Sequence, residues 1–120
     1  MIRVASTIRD AVVDRLAEWA RRHPAQDAPV VTFRGVPFLP RDLVTQVAEP
    51  TELGSMFLHS LYTSYLIRLE AQRTQEPVTR QSATHLIARH LHADDEIASV
   101  NLDLFLEPID EMILDNARRG

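Results

Sequence analysis

The sequence predicts a mainly α-helical fold, a compact bundle of five to six helices carrying one small β-hairpin at about residues 30–39. Three observations lead there. Apolar residues recur at steps of three and four through most of the chain, the spacing that lines them along one face of a helix. One stretch, Val30 to Leu39, joins β-branched and aromatic residues across a tight glycine turn. And Leu53 to Ile67 runs fifteen residues without a formal charge in a chain that is 25% charged, so protein has to cover it. With 120 residues, 45% of them apolar, and no cysteine, the chain has the size of a single domain, 1–120, whose core needs no disulfide staple.

The first helix is expected from about Thr7 to Arg22, with Ser6 or Thr7 as N-cap and His23-Pro24 as its stop. Ile8, Val12, Leu16 and Trp19 form its apolar stripe. Residues 23–29 hold two prolines and read as a loop. In the hairpin that follows, Gly35 supplies a positive φ to the Arg34-Gly35 turn, while Pro37 cannot donate to a ladder and keeps the second strand short or at an edge. Pro40 then opens a two-turn helix that ends at Ala48, before Pro50.

Thr51 caps the long central helix, which runs to about Arg73. At about 100° per residue, Leu58, Leu61, Tyr62, Tyr65, Leu66 and Leu69 share one arc, and Leu53, Met56, Phe57 and Ile67 lie on the opposite side. A helix apolar on two sides is central in its own fold or shared with another chain. A polar loop, Gln72 to Thr79, leads to an amphipathic helix from Thr79 or Ser82 to about His92, built on Ala83, Leu86, Ile87 and Leu91. Residues 97–106 fit two periods. Val100, Leu102, Leu104 and Leu106 alternate as in a strand, giving an α+β alternative with a third strand near 99–106; Ile97, Val100, Leu104 and Phe105 suit a helix capped by Asp94 or Asp95, the reading adopted. Glu107-Pro108 marks a break, with Pro108 opening a last helix through Ile109, Met112 and Ile113 to about Ala117.

Composition excludes several function classes. Without cysteine there is no thiolate metal site, iron-sulfur cluster or cysteine nucleophile. All 13 basic residues are Arg, so a Schiff-base lysine and a phosphate-loop lysine are both impossible. Only Gly35, Gly54 and Gly120 are glycines, which leaves no glycine-rich turn to cradle a pyrophosphate. Net charge is −4 and uneven: residues 1–41 hold seven Arg against four acids, and Asp94 to Asp115 holds eight acids and no Arg. The opening residues lack the basic start and apolar run of an export signal, and no segment suits a membrane span, so a cytoplasmic protein is expected.

Candidate chemistry is thin. His85, His90 and His92 with Asp94, Asp95 and Glu96 are the densest set of potential metal ligands, yet on a helix His90 and Asp94 are neighbours while His92 points elsewhere. Only a turn at residues 91–94 assembles three ligands, so neither a metal nor a cofactor is expected. Acids such as Glu107, Asp110 and Glu111 sit at proposed helix starts, where capping and the helix dipole call for them. Ser60 beside His59 lacks a nucleophile elbow, so no catalytic residue is expected. Residues 41–58 scan as helix-turn-helix, but the would-be reading helix begins with Glu52 and offers no Arg until Arg68, so nucleic acid is not an expected partner.

The resulting expectation is a non-enzymatic protein–protein interaction module, an adaptor, assembly subunit or regulatory accessory protein, that uses the central helix 51–73. Phe57, Leu58, Leu61, Tyr62 and Tyr65 are its expected contacts with a protein partner or a second copy, and Asp103, Glu107, Asp110 and Glu111 its rim. The alternative is a small acidic inhibitor of the immunity-protein or antitoxin kind, meeting a basic partner through those four acids and Asp115. A third is a small metal-dependent enzyme using the His85–Glu96 cluster.

Overall fold

Burial of the predicted stripe organises the N-terminal part of the computed structural model, which describes residues 3–90, 96–97 and 99–119. A short strand β1 (Arg3–Val4) leads into helix α1 (Ser6–Arg22), where Ile8, Val12, Leu16 and Trp19 are all buried. The cap differs from expectation. Ala5, not Ser6 or Thr7, is the N-cap, because its N–H donates to the Ile97 carbonyl at 2.9 Å and holds the residue extended, while its own carbonyl accepts from Ile8 and Arg9. Tertiary strand pairing sets this helix start, and no hydroxyl caps it. At the other end His23 is extended, as the residue before Pro24 has to be, and the Gln26 side chain reaches back to donate to the carbonyls of Ala20 and His23 at 2.7 Å each.

Strands β2 (Val31–Phe33) and β3 (Val36–Phe38) form the expected antiparallel hairpin, with Thr32 opposite Pro37. Arg34 and Gly35 have φ of 52° and 80°, the two positive values of a type I′ turn. Phe33 and Val36 close that turn as a hydrogen-bonded pair, so the alternation of an antiparallel ladder puts Pro37 on a pair that exchanges no bonds, and its missing donor does no harm. Arg34 accepts the strained conformation while its guanidinium lies over the Phe33 ring and pairs with Glu52.

Helix α2 (Pro40–Ala48) begins at Pro40 as expected, with the Leu39 N–H donating to Asp42 Oδ2 at 3.0 Å. Thr51 caps α3 (Glu52–Thr74) by accepting from the Gly54 N–H at 3.0 Å, and its hydroxyl donates to the Gln46 carbonyl at 2.7 Å, so one side chain ties two helices. Gly54 stands where α2 and α3 cross. An ideal Cβ there would lie 2.0 Å from the Gln46 carbonyl oxygen, which leaves room for glycine alone. Helix α3 ends on Gln75 in the left-handed region, φ 57°.

Helix α4 (Arg80–His90) is opened by Thr79, whose Oγ1 accepts from the Ser82 N–H at 3.1 Å. The following stretch corrects the sequence reading. Strand β4 (Glu96–Ile97) pairs in parallel with β1, Arg3 opposite Glu96 and Val4 opposite Ile97, so Ile97 is extended rather than helical. The expected caps Asp94 and Asp95 lie outside the described residues, and the next helix starts instead on Asn101, whose carbonyl accepts from Phe105 at 2.9 Å and whose Oδ1 accepts from Leu104 at 3.4 Å. That helix, α5, runs unbroken from Leu102 to Arg119 with Pro108 inside it. No strand forms at 99–106 and no break occurs at Pro108, because Leu104, Phe105, Leu106 and Ile109 are buried together and a break would split the set. Proline inside a helix costs about 3 kcal/mol; the four buried side chains offset it at about 1.5–3 kcal/mol each.

Helix α1 packs against α2 and α5, and α3 against α2, α4 and α5. Phe105, wholly buried, sits in this core with the Tyr65 ring edge-on to it at 5.6 Å. The arrangement is mainly α-helical with one small hairpin, as predicted, plus the two-residue pairing of β1 with β4.

Candidate functional site

The periodicity of α3 left two arcs as possible contact surfaces, and packing separates them. Leu58, Leu61 and Tyr65 turn into the core, Leu58 being 1% exposed, so these three expected contact residues present nothing to a second molecule. The Tyr65 hydroxyl is also used, accepting from the Asn101 N–H at 3.0 Å and so fastening α3 to the start of α5. Phe57 and Tyr62 are half-buried against the cluster, with the Tyr62 ring stacked on Tyr65 at 6.1 Å. They form the border between core and surface.

The outward side of α3 holds only part of the opposite arc, Met56 and Ile67, since Leu53 of that arc is buried in the core. Met56, Ser60, Thr63 and Ile67 follow at steps of four, three and four, which stacks them in one stripe along the helix. Met56 is 51% exposed. A shallow groove of about 660 Å³ runs beside this stripe, lined by His59, Ser60, Thr63, Ser64, Ile67 and Arg68. Thr63 Oγ1 is buried there without a hydrogen-bond partner. Sequence reasoning had placed Met56 and Ile67 on this side; it did not select them, since periodicity finds apolar arcs without saying which one the fold will cover.

Charge around the groove is already matched. Arg68 donates from Nε to Ser64 Oγ at 3.1 Å and pairs with Glu107 at 2.6 Å and with Glu111 at 3.2 Å. Asp110 is paired with Arg15 of α1, and Asp115 lies 3.8 Å from Arg118. Of the expected acidic rim, Asp103 is exposed on the first turn of α5, where an acid favours the positive end of the helix. Glu107 and Glu111 therefore face α3 through an arginine, and do not stand as a free acidic field.

Among the described residues no group of three or more His, Asp or Glu could hold a metal ion. His85 lies on α4, whereas His92, Asp94 and Asp95 of the proposed ligand set lie outside the described residues. The side chain of Arg73 is pushed further toward its charged form by the hydrogen bond and then the charge of Glu70, against slight desolvation. Arginine is charged at any working pH, so that shift carries no chemical role. Among the described residues no helix is long and apolar enough to cross a membrane. Compared with protein-family models, curated proteins and solved structures, the chain matches none.

Proposed function

We propose that this chain is a non-enzymatic protein–protein interaction module, an adaptor, assembly subunit or regulatory accessory protein, which meets a partner or a second copy through the outward face of α3. The observation that carries this reading is the uncharged stripe of Met56, Ser60, Thr63 and Ile67 on a helix whose other side is spent on the core. A solvated helix face is ordinarily salted with charge, and this one has none from Leu53 to Ile67. Phe57, half-buried against the core, lies on the same side of the helix and adds aromatic area of the kind enriched at protein contacts.

The acidic-inhibitor reading loses support from the same geometry, since a basic partner would have to displace Arg15 and Arg68 from the carboxylates it needs. The test is the molar mass in solution over a wide concentration range, with a photo-crosslinking residue at Ser60 as a second readout. Concentration-dependent association that Met56→Glu with Ile67→Glu abolishes, the helical signal being retained, supports the proposal. A chain that stays monomeric and yields no adduct from Ser60 in cells refutes it.

A further inference from the structure

A second recess, sharing no residue with the α3 face, lies where the end of α1 and the loop after it meet the last turns of α5. It holds about 420 Å³, the size of a small organic molecule. Its aromatic wall is Trp19 with His23 set edge-on at 5.3 Å, and His23 is held in place because its Nδ1 accepts from the Ala25 N–H at 3.0 Å. Pro29, Val30 and Met112 supply apolar surface. Asp115 and Asn116 supply the polar groups.

Asn116 is the unusual member. It is only 6% exposed, and its Nδ2 donates to the Trp19 carbonyl at 3.4 Å. That carbonyl is free to accept because the His23 N–H bonds to Ala20 instead of continuing the α-helical pattern. The amide cannot be turned over without setting two oxygens against each other, so Oδ1 is the acceptor that Asn116 offers at the border of the recess.

Four features of the recess attract positive charge: the Asn116 oxygen, the Asp115 carboxylate, the electron-rich face of Trp19, and the negative end of the α1 dipole. The geometry points to a binding site for an organic cation, an ammonium or guanidinium head on a short apolar stem. The head donates to Asn116 Oδ1 and faces Asp115, while the stem lies along Val30 and Met112. Arg118, 3.8 Å from Asp115 and largely exposed, competes for the carboxylate and weakens the site.

Trp19 is the only tryptophan of the chain, so its emission reports on this recess alone. Titration of the full chain with n-butylammonium and n-butylguanidinium chloride is expected to give a saturable change, absent with sodium butyrate, n-butanol or matched NaCl. Asp115→Asn should weaken binding roughly threefold to fivefold, the effect of a partly exposed charge pair, and Arg118→Gln should strengthen it. Asn116→Leu should abolish it; if that variant does not fold, the opposite signs of the two surface variants still decide. Comparing 1,4-diaminobutane with a blocked lysine separates a free amine from a protein side chain as the natural source, by whichever binds tighter. Equal responses to butanol or butyrate, no saturation with any cation, or an Asp115→Asn chain that binds unchanged overturns the assignment.

Discussion

Replacing Gly54 by alanine tests the close crossing of α2 and α3. Inside an ordinary helix the change should stabilise by about 1 kcal/mol, because alanine loses less backbone freedom on folding. Here the added Cβ would stand 2.0 Å from the Gln46 carbonyl oxygen and 2.8 Å from its carbon, and both belong to backbone that cannot rotate away. Reaching ordinary contact requires the end of α2 to retreat from α3 by more than about 1 Å, a displacement of the overpacking kind that costs about 1–3 kcal/mol. Retreat also breaks the 2.7 Å bond from the Thr51 hydroxyl to that same carbonyl, a further loss of about 1 kcal/mol. Subtracting the propensity gain leaves a net destabilisation of about 1–3 kcal/mol. For a chain of this length that lowers Tm by roughly 4–12 °C. Thermal and urea unfolding followed by circular dichroism measure it, with Ser60→Ala, an exposed site on the same helix, as the control expected to hold or raise Tm. A Gly54→Ala chain as stable as the parent would mean that the two helices do not cross this closely.

Three further substitutions probe strain that the fold tolerates. Pro108→Ala should raise stability by up to about 3 kcal/mol in urea unfolding, since it restores a donor inside α5 and removes the ring clash; a loss would mean that the helix needs the ring at that turn. Gln75→Gly, at φ 57°, should stabilise by about 0.5–1 kcal/mol as measured by the urea midpoint, because glycine enters the left-handed cap without a Cβ penalty. Thr63→Val removes a buried hydroxyl that has no partner and keeps the side-chain shape, so Tm should hold or rise by a few degrees.

Much of this fold was legible where local chemistry decides the outcome. The stripe of α1, the Arg34-Gly35 turn, Pro40 at a helix start and Thr51 as a cap all follow from neighbours within a few residues, and the structure carries each of them. The misreadings come from contacts distant in sequence. Ala5 becomes a cap because Ile97 accepts its N–H, and a pairing of two residues with two leaves no periodic trace in the sequence. Pro108 reads as a break on local grounds, whereas burial of Phe105 and Ile109 on one continuous surface overrides it. On α3 the heptad-like spacing identified both arcs; only the docking of α2 and α5 shows that Leu58, Leu61 and Tyr65 belong to the core and Met56 and Ser60 to the outside. The acids of α5 looked like a free field for a similar reason, because Arg15 and Arg68, their partners, lie 95 and 43 residues away in the chain.

Those ion pairs also determine how association should respond to salt. Between about 0.1 and 1 M NaCl the screening length falls from about 10 to about 3 Å, which removes most attraction between exposed charges. A partner drawn by the acids of α5 would therefore bind much more slowly at high salt, its association being steered by a field that screening erases. Contact through Met56, Ser60, Thr63 and Ile67 involves no formal charge, and Arg68 beside the groove is neutralised within the chain by Glu107 and Glu111. Its affinity should change by no more than about twofold over that range, since burial of apolar surface does not depend on screening. Sedimentation or light scattering at both salt concentrations distinguishes the two mechanisms directly. Association that collapses at 1 M NaCl would place the contact on the charged side of α5, and the uncharged face of α3 would then need another explanation.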